Sequence, residues 1–550
     1  MSDDALIHSR AMAAVTWPRD AAAERQRART VALTALAVFA AAAAFYASLL
    51  FPGLGGVLNP GDSAKFQILG HTPILVHGPG YPLVLAIGAL VRALPLPLPP
   101  WWLLTFVLSA LPGAAAVTFA FLITERVTRS VGFGLAAALL LGTAGLVAVQ
   151  ATEAEVYALA LAFLLGTVFL LIRFVETRRP AWFLVACGVY AVSFGNHLMM
   201  IMLVPLFLWT VLVHRELLQR RYVAAVAALI LLGASQYLYL AYVAYDPRTS
   251  YSEYMPLPPE PMELVHYVLG TYFSDLYGSG FESSRNAEAL LGTLRVAHPW
   301  LSLPLIVAGL ALTAAGWRRR DAHWTALAMI AAAGLCFVPF VLWYGAYDIH
   351  AFHGPVLGPL LIVGVASLGW WTRHSPRLGG AVLVLLLLVG AARTLQIGAL
   401  LGARAPIYDD VPAAVTEMVA QAPVERPIVA MSYGLRMATL YHELRGELPV
   451  GPRYRVHWRA IATAMHGAPV GGIVVPSDGY QFVRWIEHRR PELECRTGKV
   501  RRQIPTPWPA YTFECSPGWS VGAASGREDL SSRSEAAPTV NVRAPRPQSR

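Results

Sequence analysis

The chain has 550 residues, of which 56% are hydrophobic and only 14% are charged. Soluble proteins carry about 25% charged residues, so the composition excludes an ordinary soluble protein and indicates a surface that mostly faces lipid. The net charge of +10 does not indicate nucleic-acid binding, because the basic residues form short clusters between apolar runs, as in the cytoplasmic loops of membrane proteins.

Eleven apolar segments are candidates for membrane spans, since a crossing needs roughly 20 mostly apolar residues. They are 31–51, 102–123, 131–149, 157–174, 181–195, 198–213, 222–244, 300–316, 324–344, 353–371 and 378–400. The apolar segment 81–95 is short and proline-rich, and we interpret it as a helix lying at the interface. The sequence therefore predicts an all-α polytopic membrane protein.

The distribution of basic residues predicts the orientation. With a cytoplasmic tail at 1–30, the inner connections carry eighteen Lys and Arg residues and the outer ones five. Positive residues favour the cytoplasmic side. The pattern therefore predicts a cytoplasmic N-terminus, with the transmembrane domain at 31–400 and everything after it outside the membrane.

Four further regions follow from this topology. The first outer loop is 52–101, and 245–299 is a Tyr- and Pro-rich outer loop. Residues 401–520 alternate apolar runs with amphipathic stretches, which predicts a small α/β extracytoplasmic domain. Residues 521–550 are rich in Ser, Arg, Pro and Ala and are predicted to be disordered. Cys495 and Cys515 in the α/β region either form a disulfide or are two unrelated thiols, since only geometry decides this.

Polar residues gather at one side of the predicted membrane. Ionisable groups near a membrane are costly and therefore functional candidates. These lie in the first loop, after the third and fifth spans and after the ninth: Asp62, Lys65, His71, His77, Glu153, Glu155, Asn196, His197, Asp348, His350 and His353. Such a convergence is more typical of a reaction site than of a conduction path, which would place charges at mid-membrane depth.

The first outer loop carries the most information. Asn59-Pro60-Gly61 predicts a turn, and Asp62 and Ser63 suit the N-cap of a short helix, SAKFQILG. A carboxylate at such a helix start can accept a proton from a hydroxyl. The alternative is that Asp62 serves as a cap alone.

The motifs GDSAKFQILG and HGPGYPL resemble the paired signature GDSGEF and HPPGYPL of a polytopic membrane family. That family is similar to protein O-mannosyltransferases and lies in the GT-C glycosyltransferase superfamily. QATEAEVYAL, SFGNHLMM and YDIHAFHGPVLGPLL resemble further segments of the family in the same order, so the resemblance covers about 62–370. Residues 401–550 show no such similarity.

The resemblance implies a GT-C-like fold, a polyprenyl-phosphate-sugar donor and an outer active site in which Asp62 is the catalytic base. The Gly-Glu that follows GDS in the family is Ala64-Lys65 here, so any role of that glutamate is lost or altered. Gly78 replaces one proline of the second motif, which retains His77 and Tyr81.

Each of the other candidates has an alternative reading. Cations or donors must offset the growing charge of a leaving phosphate, and the candidates are Lys65, His77, His197, His350, His353 and Arg393. Arg393 also reads as an interfacial arginine. Glu153 and Glu155 could bind sugar hydroxyls or cap the next helix. Asn196-His197 could be a polar turn, and Asp348 a helix cap. Tyr81 is a further substrate-binding candidate.

These observations predict an inverting glycosyltransferase of the bacterial inner membrane. Its partners would be a polyprenyl-phosphate sugar, a glycan, lipid or protein acceptor, and membrane lipids. No cofactor is indicated, and without an Asp-x-Asp motif a divalent metal is possible but unsupported. The alternatives are a flippase or transporter for lipid-linked sugars, which would show broken helices, and a non-catalytic scaffold.

Overall fold

The computed structural model describes residues 21–249, 258–271, 283–316, 322–346, 348–409, 411–413, 428–429, 433–448, 470–474, 493–499 and 511–517. The predictions for 1–20 and 521–550 lie outside these ranges. The α-helices are Ala21–Ser48, Pro60–Ile68, Pro82–Ala93, Pro100–Thr105, Leu111–Thr128, Val131–Gly142, Gly145–Gln150, Tyr157–Thr177, Pro180–Ser193, Val204–Val213, Arg220–Ala234, Gln236–Tyr245, Pro261–Val268, Ser283–Ala297, Ser302–Gly316, Ala322–Leu335, Val338–Trp343, Gly354–Thr372, Pro376–Gly402 and Tyr433–Leu444. A π-helical turn, Phe106–Ala110, joins two of them, and 3-10 turns lie at Leu198–Leu203, Arg215–Leu218 and Ile349–His353.

The predicted helical, polytopic fold is confirmed. Seven helices in the described ranges are long and apolar enough to cross a membrane, or eight if the bent pair Ser283–Ala297 and Ser302–Gly316 is one span. Other predicted spans correspond to three shorter apolar helices, Val131–Gly142, Pro180–Ser193 and Leu198–Val213. The total of eleven spans stays a prediction.

The helix Gly354–Thr372 is the centre of the bundle and is almost wholly buried. It packs against helices from both halves of the chain, namely Leu111–Thr128, Val131–Gly142, Tyr157–Thr177, Ser302–Gly316 and Ala322–Leu335. Where it crosses Ser302–Gly316, Gly309 and Gly364 meet backbone to backbone. Small residues allow such close approach of membrane helices, which gain stability mainly from van der Waals packing.

Peripheral helices carry the apolar surface that composition predicted. Ala21–Ser48, Arg220–Tyr245 and Pro376–Gly402 are apolar but mostly exposed, as expected of lipid-facing helices. The first of them begins at Ala21, before the predicted end of the tail at residue 30. Its polar N-terminal part forms ion pairs, Glu24 with Arg129 and Arg27 with Glu125. These pairs allow the helix to begin before the apolar run.

The predicted loop 52–101 folds into two short helices. We call Pro60–Ile68 the loop helix. A short helix, Pro82–Ala93, is present where the sequence predicted one over 81–95, and its place at the interface stays a prediction. The loop helix is almost completely buried, which is unusual for a loop segment and positions its polar side chains rigidly.

The C-terminal region contains both helix and strand. The strands Ile428–Val429, Val470–Val474, Leu493–Lys499 and Tyr511–Pro517 form one sheet. The first two pair in parallel, the last two are antiparallel, and the fourth lies between the second and third. The extent of the predicted α/β domain at 401–520 stays a prediction.

The register of the last two strands bears on the cysteine question. Cys495 and Cys515 are directly opposite each other in this antiparallel pair. Opposite residues have Cα atoms about 4.5–5.5 Å apart, within the range that a disulfide spans. The disulfide remains a prediction, but the backbone pairing is compatible with it.

Candidate active site

The loop helix begins three residues earlier than the sequence suggested. The predicted N-cap was Asp62 or Ser63, but the cap is Asn59, whose side-chain Oδ1 accepts a hydrogen bond from the Asp62 N–H at 3.2 Å. Pro60 occupies the first helical position, where its fixed φ angle and missing N–H are favourable. Asp62 therefore lies within the first turn, where the helix dipole stabilises a negative charge.

Asn59 also brings two carboxylates together. Its Nδ2 donates to Oδ2 of Asp62 at 2.7 Å and to Oδ2 of Asp348 at 3.1 Å. Asp348 precedes the 3-10 turn Ile349–His353 and makes no capping bond with its side chain, so its alternative reading as a helix cap is not realised. Burial, reinforced by the charge of Asp62, raises the pKa of Asp348.

Lys65 lies one turn after Asp62 and is fully buried. Its ammonium lies 2.5 Å from Oδ1 of Asp62 and also hydrogen-bonds Nδ1 of His77. An ammonium can only donate, so Nδ1 accepts and the imidazole proton resides on Nε2, which is 2.9 Å from the Tyr81 hydroxyl. Burial and then the charge of Lys65 lower the pKa of His77 to about 3. His77 is therefore neutral near pH 7.

Glu155 contacts the loop helix at Ser63, the residue after Asp62. Ser63 Oγ donates to Glu155 Oε1 at 3.1 Å, and the backbone N–H of Glu155 is fixed by Ser109 Oγ. Burial raises the pKa of Glu155 strongly, with a further contribution from the negative charge of Asp62. The site thus holds a buried carboxyl group with a raised pKa beside the half-buried carboxylate of Asp62.

Both carboxylate oxygens of Glu153 accept hydrogen bonds from other parts of the protein. Its Oε2 accepts the N–H groups of Val57 at 2.9 Å and Leu58 at 3.0 Å, and its Oε1 accepts from Arg404 at 2.8 Å. Val156 is the N-terminal boundary of the following helix, so Glu153 does not cap it either. The geometry gives Glu153 a supporting role behind the loop.

The turn at Asn196-His197 closes the site beside Tyr81. The rings of Tyr81 and His197 are 5.7 Å apart, and Nδ1 of His197 accepts the backbone N–H of Met199. Burial lowers the pKa of His197 to about 4, so it too is neutral near pH 7. Asn196 is buried, and its Nδ2 donates to the Val156 carbonyl at 3.0 Å.

Comparisons with known proteins agree with this architecture. The structure is similar to the crystal structure of ArnT from Cupriavidus metallidurans bound to undecaprenyl phosphate, with TM-score 0.51 and 15% identity over 88% of this chain and 97% of that one. It is also similar to the apo oligosaccharyltransferase of Archaeoglobus fulgidus, with TM-score 0.50 and 13% identity over 86% and 75% of the two chains. Residues 62–220 match the family model of the protein O-mannosyl-transferase TMEM260 N-terminal domain. The chain shares the fold of these two proteins, and its residues 62–220 resemble a protein O-mannosyl-transferase domain. No curated protein matches its sequence.

The match to this family model begins at Asp62 and includes the two glutamates and the Asn196-His197 turn. Asp348 and Arg404 lie outside the matched residues, and the fold brings them to the same group. The resemblance inferred from the sequence motifs is confirmed.

Three of the phosphate-binding candidates make no hydrogen bond to the acidic group in the described residues. His353 Nδ1 hydrogen-bonds Thr293 Oγ1 at 2.7 Å, and His350 is exposed beside it. Arg393 binds Gln396 Oε1 and the carbonyl of Val296, which is at the C-terminus of another helix. Its two readings, phosphate binding and an interfacial arginine, both stay predictions.

Sequence reasoning missed Asn59 and Arg404. The pattern Asn-Pro-Gly-Asp contained the signal for Asn59, because Asn is a preferred cap and Pro a preferred first residue. Arg404 carried no such signal, since an arginine just after a span reads as an interfacial anchor.

In the part of the chain that the structure describes, no three His, Cys, Asp or Glu side chains are arranged to hold a metal ion.

Proposed function

We propose that the chain transfers a sugar from a polyprenyl-phosphate-linked donor to an acceptor hydroxyl, with inversion of configuration and with Asp62 as the base. The observation that carries this proposal is the pairing of Asp62 with Lys65. A carboxylate that is 18% exposed lies beside a buried ammonium, in the first turn of a rigid helix. One end of this pair can meet a hydroxyl while the other supplies positive charge.

The proposed step balances as a single displacement. The acceptor oxygen attacks the anomeric carbon while its proton passes to the Asp62 carboxylate. The bond from the anomeric carbon to the phosphate oxygen breaks, and its electron pair leaves with the lipid phosphate. Positive charge near the leaving group lowers the barrier by stabilising this charge, and Lys65 is the candidate cation that lies against Asp62. His77 and His197 are neutral and can contribute only through their N–H groups.

The hydrogen bonds of Asn59 would keep the base in position. Asn59 Nδ2 donates a hydrogen bond to each of Asp62 and Asp348. These two bonds oppose the repulsion between the carboxyl groups and so keep the loop helix beside the turn that follows Asp348. Asp62 is fixed from both sides, and a base held in position can contribute about 10²–10⁴-fold to a rate.

A cavity beside the Asp348 turn supports a lipid-linked donor. It has a volume of about 540 Å³ and is open on one side, and its lining includes Arg285, Glu288, Thr293 and His350. One wall is the helix Ser283–Ala297, which meets the next helix at 102° and so lies across the bundle end. Such a helix suits the membrane interface, where the headgroup of a lipid would arrive. That ArnT has been crystallised with undecaprenyl phosphate supports the same class of donor.

The orientation of the site is also proposed. The excess of basic residues on the opposite connections supports an extracytoplasmic active site in a bacterial inner membrane. The acceptor would then be a glycan, lipid or protein hydroxyl that is exposed on that side.

Mass spectrometry of surface glycans and glycoproteins tests this function. Cells with the wild-type chain should show a sugar increment that is absent without the chain and absent with Asp62→Asn. The matched control is Asp246→Asn, since the Asp246 carboxylate binds Arg248 instead of the loop helix. A glycan profile that does not depend on the chain, or that Asp62→Asn leaves unchanged, would contradict the proposal.

A further inference from the structure

A buried arginine links the end of the last long helix to the loop helix. Arg404 follows the helix Pro376–Gly402, and its side chain is 8% exposed. Its Nη1 donates to Glu153 Oε1 at 2.8 Å, its Nη2 donates to the carbonyl of Leu49, and its Nε donates to the carbonyl of Leu401 at 3.0 Å. The guanidinium therefore ties together three parts of the chain.

Glu153 passes this restraint to the residues that precede the base. Its second oxygen accepts the N–H groups of Val57 and Leu58, which come directly before the cap Asn59. Asn59 in turn holds the N–H and the carboxylate of Asp62. Two sets of hydrogen bonds, joined through the backbone between Leu58 and Asn59, thus connect Arg404 to Asp62.

The electrostatics explain why both partners are needed. Burial raises the pKa of Glu153, and the two N–H donors and Arg404 oppose that shift. Burial also lowers the pKa of Arg404, and Glu153 opposes it. Each group therefore offsets part of the cost of burying the other's charge, and a single substitution leaves the remaining one buried without its partner.

The segment after Arg404 packs on the same loop. Tyr408 lies against Gly55, whose φ of +89° no ordinary side chain would favour, and against Gly434 at the start of the helix Tyr433–Leu444. That helix packs along the loop helix, and its last carbonyl, of Leu444, hydrogen-bonds His71 Nε2 at 3.2 Å. The chain that leads to the C-terminal domain therefore covers the back of the loop.

We propose that Arg404 is a positioning residue that sets the place of Asp62 through Glu153, which makes the segment after the last long helix part of the active site. This inference rests on the proposed glycosyl transfer. It assigns Glu153 to support of the loop instead of to sugar binding. Displacement of a reacting group by about 1 Å can cost about 100-fold in rate. We therefore expect loss of Arg404 to lower kcat and to leave KM nearly unchanged.

A double-mutant cycle tests the inference. Arg404→Gln, Glu153→Gln and the double variant are purified, and the rates of transfer are normalised to folded protein. Each single variant should lose about 10–100-fold in kcat, with the KM for the lipid-linked donor within about threefold. The double variant should lose no more than the worse single variant, because both changes break one connection. Arg445→Gln is the control, since Arg445 forms a more exposed pair with Glu447 near the end of the C-terminal helix.

Three outcomes would overturn the inference: a kcat per folded molecule that stays near the wild-type value, losses that add in the double variant, or a defect confined to KM. If Arg404→Gln fails to fold, Arg404→Lys is measured instead. Lysine keeps the charge but cannot make all three bonds, so a reduced kcat supports positioning and an unchanged kcat contradicts it. A wild-type chain that transfers no sugar would refute the proposed function itself, whereas wild-type transfer with a normal Arg404→Gln variant would refute this inference alone.

Discussion

Replacement of Asp62 by asparagine separates the chemical role of this residue from its structural one. Asparagine has nearly the same shape and can keep a hydrogen bond to Asn59, but it cannot accept a proton as a base. The substitution also removes the carboxylate that lies 2.5 Å from the buried ammonium of Lys65. Two effects are therefore expected, one on the rate and one on stability.

The sizes of the two effects differ. Loss of a positioned general base should slow transfer about 10²–10⁴-fold. Removal of one partner from a fully buried ion pair costs about 3–5 kcal/mol, but Asp62 is 18% exposed and Lys65 keeps its hydrogen bond to His77. After this discount we expect a loss of about 2 kcal/mol in the free energy of unfolding.

The assay compares Asp62→Asn with the double variant Asp62→Asn/Lys65→Met. Initial rates of sugar transfer and thermal unfolding are measured on the same detergent-solubilised preparations. Methionine removes the ammonium that has lost its carboxylate, so the double variant should regain most of the stability. Its transfer rate should stay as low as that of the single variant.

Two results would refute this reasoning. Wild-type turnover by Asp62→Asn would show that Asp62 is not the base. Recovery of activity in the double variant would show that the single variant failed because its fold was damaged and not because a proton acceptor was missing.

Three further predictions follow from the same geometry. A Cβ at Gly56 would collide with the Glu153 carboxylate, so Gly56→Ala should reduce both transfer and thermal stability. Gly380→Ala is the control, because no atom lies within 4 Å of its Cβ position, and it should leave transfer unchanged in the same assay. Asp348 has a raised pKa when folded and therefore binds its proton more tightly in the folded state, so stability falls as the pH rises from about 3.9 through that raised value. Asp348→Asn should then increase the free energy of unfolding on the order of 1 kcal/mol near pH 7 while lowering activity, and no stabilisation in thermal unfolding at that pH would count against the assignment. Cys495 and Cys515 should resist alkylation until a reductant is added, as read by intact-protein mass spectrometry, and immediate alkylation of both would exclude the disulfide.

The fold was predictable because the signals that define it are local. Long apolar runs indicate helices that cross a membrane. The prolines at both ends of 81–95 indicated a short helix, which the structure has as Pro82–Ala93. Boundaries were less accurate. The first helix starts at Ala21 because ion pairs outside the apolar run hold it, and those partners lie about a hundred residues away.

The site was predictable only in part. Asp62, Lys65 and Glu155 could be found because polar residues are rare beside apolar runs, and the structure does bring them together. The role of Asn59 depends on Asp348, which is 289 positions later in the chain, and no pattern near Asn59 indicates that contact. Glu153 has the same residue type as a sugar ligand, and only packing reveals that Arg404 and two backbone N–H groups occupy its oxygens.

The most direct test of the central claim follows the sugar itself. The purified chain is reconstituted in sealed vesicles with a polyprenyl-phosphate-linked sugar labelled in the sugar, together with a mixture of candidate hydroxyl acceptors. We expect label to pass from the lipid to an acceptor with release of the lipid phosphate, and Asp62→Asn to abolish this transfer. Movement of the intact lipid-linked sugar between leaflets without release of lipid phosphate would contradict the account and indicate a flippase.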